Sequence, residues 1–195
     1  MPGTGAAYCL GMDRPAWAEA SDLMRDYYDH EWGLPVRDTP GVYERIVLEG
    51  FQSGLSWAVV LRKRPAFRSA FHDFDPEAVA RYTEADVERL LADAGIVRNR
   101  RKIEAAITNA RATAAMTDAG LDLAGLVWSF RPADPTLGAD ATQSPESVAL
   151  SKALKKHGFV FVGPVTMFAL MQAIGILEHR GREAPVGRAG AQAWA

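Results

Sequence analysis

Cysteine is almost absent from this chain: Cys9 is the only one. No internal disulfide can form, and a reducing cytoplasm is the expected compartment. The four histidines, His30, His72, His157 and His179, fall into no metal-ligand spacing such as CxxC or HxxxH. No metal and no cofactor are therefore expected. There is also no run of about 18 apolar residues, which argues against a transmembrane helix. The opening residues Met1-Pro2-Gly3-Thr4-Gly5 lack the charged and apolar regions of a signal peptide, so no membrane partner is expected. Charge of one sign is scarce: the net charge is −2, which argues against a protein that coats nucleic acid indiscriminately. Internal repeats and sustained apolar–polar alternation are missing as well, which leaves little room for a β-sheet.

What is there is helical periodicity. The 195 residues, 48% hydrophobic and 24% charged, are enough for one ordinary domain or two small lobes. Apolar spacing predicts helices around 39–51 and 53–63, broken near Gly50 or Gly54. Asp75-Pro76 opens a short helix, because proline suits the first helical turn. Thr83-Glu84-Ala85-Asp86 starts another by capping, which ends at Gly95. Asn99 to Met116 reads as a long helix and Leu123 to Phe130 as a short one. Arg131–Thr142, with Pro132, Pro135 and Gly138, reads as a loop. Ser147 to Lys156 and Pro164 to Leu177 form a final pair. The expected fold class is all-α.

Three features carry chemistry. Glu49 stands in the apolar run Leu48-Glu49-Gly50-Phe51, one helical face from Trp57, and follows the aromatic segment Tyr27-Tyr28-Asp29-His30-Glu31-Trp32-Gly33. A carboxylate kept among rings suits a flat, cationic aromatic ligand. The plainer alternatives, core tryptophans and a glutamate paired to an arginine, stay open on the residues alone. Basic residues gather in two groups, Arg98, Arg100, Arg101, Lys102 and Lys152, Lys155, Lys156, His157; each reads as a solvated helix face or as a contact for a polyanion. Between Gly158 and Gly163 runs a short apolar hairpin, and a helix starts at Pro164. Such a hairpin either merely permits the turn or offers backbone N–H groups to a phosphate.

These stretches resemble the 3-methyladenine DNA glycosylase I family of the helix-hairpin-helix glycosylase superfamily. The likeness lies in Asp29-His30-Glu31-Trp32-Gly33-Leu34-Pro35, Leu48 through Trp57, Asp93 through Arg100, Val127-Trp128-Ser129-Phe130, and Leu150 through Lys156 to Met171-Gln172-Ala173, in order over roughly 14–178. The resemblance implies a bilobal, all-α glycosylase domain over 14–180, with 1–13 and 181–195 as loose termini. It implies a monomer that flips a methylated base out of double-stranded DNA and hydrolyses its glycosidic bond without lyase activity. By motif, Glu49 would hold the base and Tyr27 and Trp57 would stack on it. Trp32 and Trp17 would wall the pocket. Gly54 and Leu55 would meet the DNA stack, with Leu55 as a wedge, and Lys152, Lys155, Lys156, Gly158 and Gly163 would meet the backbone.

The chain departs from the family pattern in two places. Members commonly staple their termini with zinc through two cysteines and two histidines. Here the first two of these positions hold Pro15 and Tyr28, and Arg180 and Ala184 stand where the later ligands would be expected; a zinc-free member is implied. Met24 replaces an aromatic on the outer pocket wall, which bears on base preference.

Overall fold

The computed structural model describes residues 14–135 and 141–178. Within them the chain forms α1 (Asp22–His30), α2 (Thr39–Gln52), α3 (Trp57–Ala70), α4 (Pro76–Ala80), α5 (Glu84–Ala92), α6 (Arg100–Asp118), α7 (Leu123–Trp128), α8 (Pro145–Lys156) and α9 (Pro164–Ala173), with 3-10 turns at Ala18–Ala20 and His72–Phe74. Among the described residues there is no β-sheet, so the all-α expectation holds.

Most starts follow local chemistry. Asp38, Asn99, Asp122 and Ser144 each cap a helix by accepting a backbone N–H. Thr83 and Asp86 form the predicted capping box of α5. Three expectations are corrected. The second helix begins at Trp57 rather than 53, because Ser53–Ser56 is a loop in which Gly54 takes a φ of 80°. That helix then runs through exposed Pro65 to Ala70. The last helix stops at Ala173 rather than Leu177, since Gly175 turns left-handed (φ 77°) and any Cβ there would lie 2.7 Å from the Gly33 carbonyl oxygen. Gly33 N–H also donates to Ala173 O at 2.9 Å, so the end of α9 is brought against the aromatic segment after α1.

Helix α1 itself was not predicted. Its signal is present: Ser21 caps it, and buried Met24, Tyr27 and Tyr28 stand at i, i+3, i+4.

The main core gathers α2, α6, α7, α8 and α9 around a phenylalanine cluster in which Phe51 and Phe67 ring centres lie 4.6 Å apart. A second, smaller cluster of Met24, Tyr27 and Leu61 packs with Trp32, Trp57 and Ala58. Trp57 touches both clusters. The site lies along this second cluster. Cys9, His179 and both termini fall outside the described residues.

Candidate functional site

Glu49 is on the buried side of α2, 7% exposed, one residue after fully buried Leu48. It opens into a cavity of about 480 Å³ that is also lined by Tyr27, Trp57, Trp32 and Trp17. The five side chains that sequence reasoning selected for the pocket thus share one space, supplied by α1, α2, α3 and the segments flanking α1. Tyr27 and Trp57 face each other with ring centres 5.5 Å apart. Trp17 meets Tyr28 and Trp32 edge-on at 5.4 and 5.5 Å, while Tyr28 stacks on Trp32 at 5.3 Å. Trp17 is brought there by a two-pronged ion pair from Arg14 to Asp29, at 2.8 and 2.7 Å.

The electrostatics of the cavity are unusual. Glu49 has no hydrogen-bond partner among the described residues, and burial pushes its carboxyl up to about 8, with Arg45, one helical turn earlier, opposing the shift. Next to Glu49 on α2, Glu44 and Arg45 join Glu31, Arg64 and Arg68 in a partly buried network. Glu31 accepts from Arg45 at 3.0 Å and Arg64 at 2.7 Å; Glu44 accepts from Arg68 at 2.9 and 3.2 Å. Three guanidinium groups face two carboxylates there, and the Nη1 of Arg45 is buried without a hydrogen bond. Burial likewise holds the Tyr27 hydroxyl well above its ordinary value. The cavity therefore offers flat apolar walls and one carboxyl group whose negative charge is costly until a cation arrives.

Sequence reasoning did not single out the other polar lining groups, Gln52, Ser56 and Gln172. For Gln52 and Ser56 a signal existed: they bracket the Gly54-Leu55 loop. Met24, already noted as a departure, lines the wall.

The predicted DNA-facing residues lie on exposed loops and helix ends. Leu55 is 39% exposed at the cavity rim, since both ends of its loop, Gln52 and Ser56, line the cavity. Lys152, Lys155 and Lys156 are exposed on α8, and Gly158 has a φ of 89° in the turn that follows. Gly163 caps α9. In the other basic group Arg98 and Arg101 are exposed, but Arg100 is bound by Glu84 and Glu88 on α5, and Lys102 turns inward. Among the described residues no group of three or more His, Cys, Asp or Glu is placed to hold a metal. At the family's second zinc position Tyr28 is buried in the aromatic stack, so the residues present there do not fit that ion.

Fold and cavity together define an all-helical protein with one carboxylate set among aromatic rings. The family model for methyladenine glycosylase matches residues 17–186. The DNA-3-methyladenine glycosylase of Haemophilus influenzae is 41% identical over 178 residues, covering 88% of this chain and 96% of that protein. DNA-3-methyladenine glycosylase 1 of Escherichia coli K12 is 47% identical over 172 residues, covering 85% and 92%. The solved 3-methyladenine DNA glycosylase I of Staphylococcus aureus matches with a TM-score of 0.82 at 33% identity, over 89% of this chain and 96% of that one. A variant 3-methyladenine DNA glycosylase I solved in complex with 3-methyladenine gives 0.79 at 32% identity, over 85% and 92%. The chain belongs to the methyladenine glycosylase family.

Proposed function

We propose that this protein excises 3-methyladenine from alkylated double-stranded DNA, hydrolysing the N-glycosidic bond and leaving an abasic site for base excision repair. One observation carries the assignment of roles: Glu49, unpartnered and buried, shares a cavity with Tyr27 and Trp57.

Methylation at N3 makes the nucleobase cationic, so it is already a good leaving group and needs little general-acid help. The protein must first extrude the nucleotide, at a cost of a few kcal/mol. Stacking on Tyr27 and Trp57 returns roughly 1–3 kcal/mol per aromatic contact. Trp32 and Trp17 close the walls. The arriving cation favours loss of the Glu49 proton to solvent, and the carboxylate then accepts hydrogen bonds from the adenine edge and offsets its charge. Leu55 enters the stack beside the vacated position, and Gly54 gives the loop its turn. Lys152, Lys155, Lys156, the Gly158 turn and the N–H groups after Gly163 hold the phosphate backbone. The base departs with the bonding electrons, which neutralises it. Water adds to C1′ of the oxocarbenium-like sugar and loses a proton to solvent. No lysine lines the described cavity, in keeping with a monofunctional enzyme that forms no Schiff base. The assignment extends to a monomer of the cytoplasm, consistent with a single cysteine and with no described helix long and apolar enough to cross a membrane.

Chromatography of the bases freed from N-methylated DNA tests this. Wild type is expected to release 3-methyladenine, and Glu49→Gln to release it roughly 10- to 100-fold more slowly, the value of a charged hydrogen bond. Release at the wild-type rate by Glu49→Gln would overturn the role given to Glu49. No release by wild type would overturn the activity.

A further inference from the structure

Lys102 belongs to a cluster of cations, yet it turns inward where Arg98 and Arg101 are exposed. It is half-buried in the first turn of α6, and its Nζ donates to the carbonyls of Phe51 at 2.8 Å and Ser53 at 2.5 Å. These lie at the C-terminal end of α2, where carbonyls have no partner within the helix and the dipole is negative. Directly beyond them Gly54 stands in open space, with nothing within 4 Å of where a Cβ would be, and carries exposed Leu55. Seven residues along the same face of α6, buried Asn109 pairs both backbone polar groups of Val160 in the hairpin, donating at 3.1 Å and accepting at 2.8 Å. The space between is closed by Gly50 and Phe161, which line the same small crevice as Lys102 and Asn109.

We propose that Lys102 is a positioning residue for Leu55: by clamping the end of α2 it sets the height at which the loop carries Leu55 over the cavity mouth, while Asn109, from the same helix face, sets the hairpin. A single rigid helix thus fixes the spacing between the two loops that meet DNA. This inference rests on the wedge role given to Leu55 above.

The test measures single-turnover release of 3-methyladenine from methylated duplex at saturating enzyme, alongside affinity for undamaged duplex. Lys102→Met is expected to slow release about 10- to 100-fold, the effect of a misplaced reacting geometry. Its affinity for undamaged duplex, and its binding of free 3-methyladenine read by tryptophan fluorescence, should match wild type, which shows the variant is folded. Lys102→Arg, which also reaches two carbonyls, should recover most of the rate. In a Leu55→Ala background Lys102→Met should cost nothing further, because both changes remove one function.

Wild-type release by Lys102→Met would overturn the proposal. A full, undiminished loss in the Leu55→Ala background would also do so. A loss expressed as weaker binding to undamaged duplex with a shallower salt dependence would overturn it in favour of a direct phosphate contact. If Leu55→Ala releases base as wild type does, the wedge role fails and Lys102 has nothing to position. That outcome differs from a wild type that releases no base at all.

Discussion

At the scale of single residues, the free energy of one proton separates the folded chain's two tasks. Glu49 has a folded pKa of about 8 against an ordinary 4.5, and desolvation is the main cause. Because the folded value lies above the unfolded one, the folded protein keeps a proton that the unfolded chain loses between these pH values. The associated stability is fully present below about pH 4.5 and is lost as pH rises toward about 8. Catalysis asks for the opposite charge state. With Glu49 as the partner of a cationic base, kcat/KM is expected to rise with pH and level off above about 8, while Glu49→Gln stays flat. Thermal melts recorded from pH 5 to pH 8 should show wild type losing stability relative to Glu49→Gln. A wild-type rate that is level across this range would remove Glu49 as the titrating group.

At the scale of elements, helices with strong local punctuation were legible, and the segments that do the positioning were less so. Residues 39–51 and Asn99–Met116 were readable because apolar spacing and capping residues agree with the final packing. Helix α1 escaped because its polar surface dilutes the pattern of Met24, Tyr27 and Tyr28. A break near Gly50 or Gly54 was legible, but the second helix was started four residues early, at 53 rather than Trp57. The length of the turn around left-handed Gly54 is not written in apolar spacing. Helix α8 and the turn after it make a prediction of their own. Lys155 and Lys156 are exposed in its last turn. If they meet phosphates, replacing both with Ala should lower the slope of log affinity against log salt by about two, about one per lost phosphate contact. Titrations of undamaged duplex at several salt concentrations measure this. An unchanged slope would move the DNA face elsewhere.

At the scale of the whole molecule, partly buried charges tie together three parts of the chain that also contribute to the cavity. Glu31 follows α1, Glu44 and Arg45 lie on α2, and Arg64 and Arg68 lie on α3. Glu44, 7% exposed, receives both prongs of Arg68 and approaches Arg64 at 3.2 Å. Glu44→Gln would leave three guanidinium groups, two of them buried, to share the single carboxylate of Glu31, at a cost of about 3–5 kcal/mol. For a domain of this size that lowers the melting temperature by roughly 6–20 °C, which calorimetry would register. A change of a degree or two would show that Glu31 and solvent are enough to support these arginines without Glu44.

The amino-acid sequence by itself determined the helical class, because apolar periodicity and caps are local properties of the chain. Glu49, Tyr27, Trp57, Trp32 and Trp17 could be picked out together through the motifs that carry the family resemblance, which are local as well. Only the tertiary structure decided which way each charge faces. Arg100 and Lys102 are neighbours on one helix, yet one is tied to the glutamates of α5 and the other to carbonyls about fifty positions away in the chain. Glu49 is left without a partner while Glu44, five residues earlier, has three. Such outcomes depend on what distant helices bring alongside, and on the burial that makes a charge costly. Neither is written in the spacing of residues along the chain.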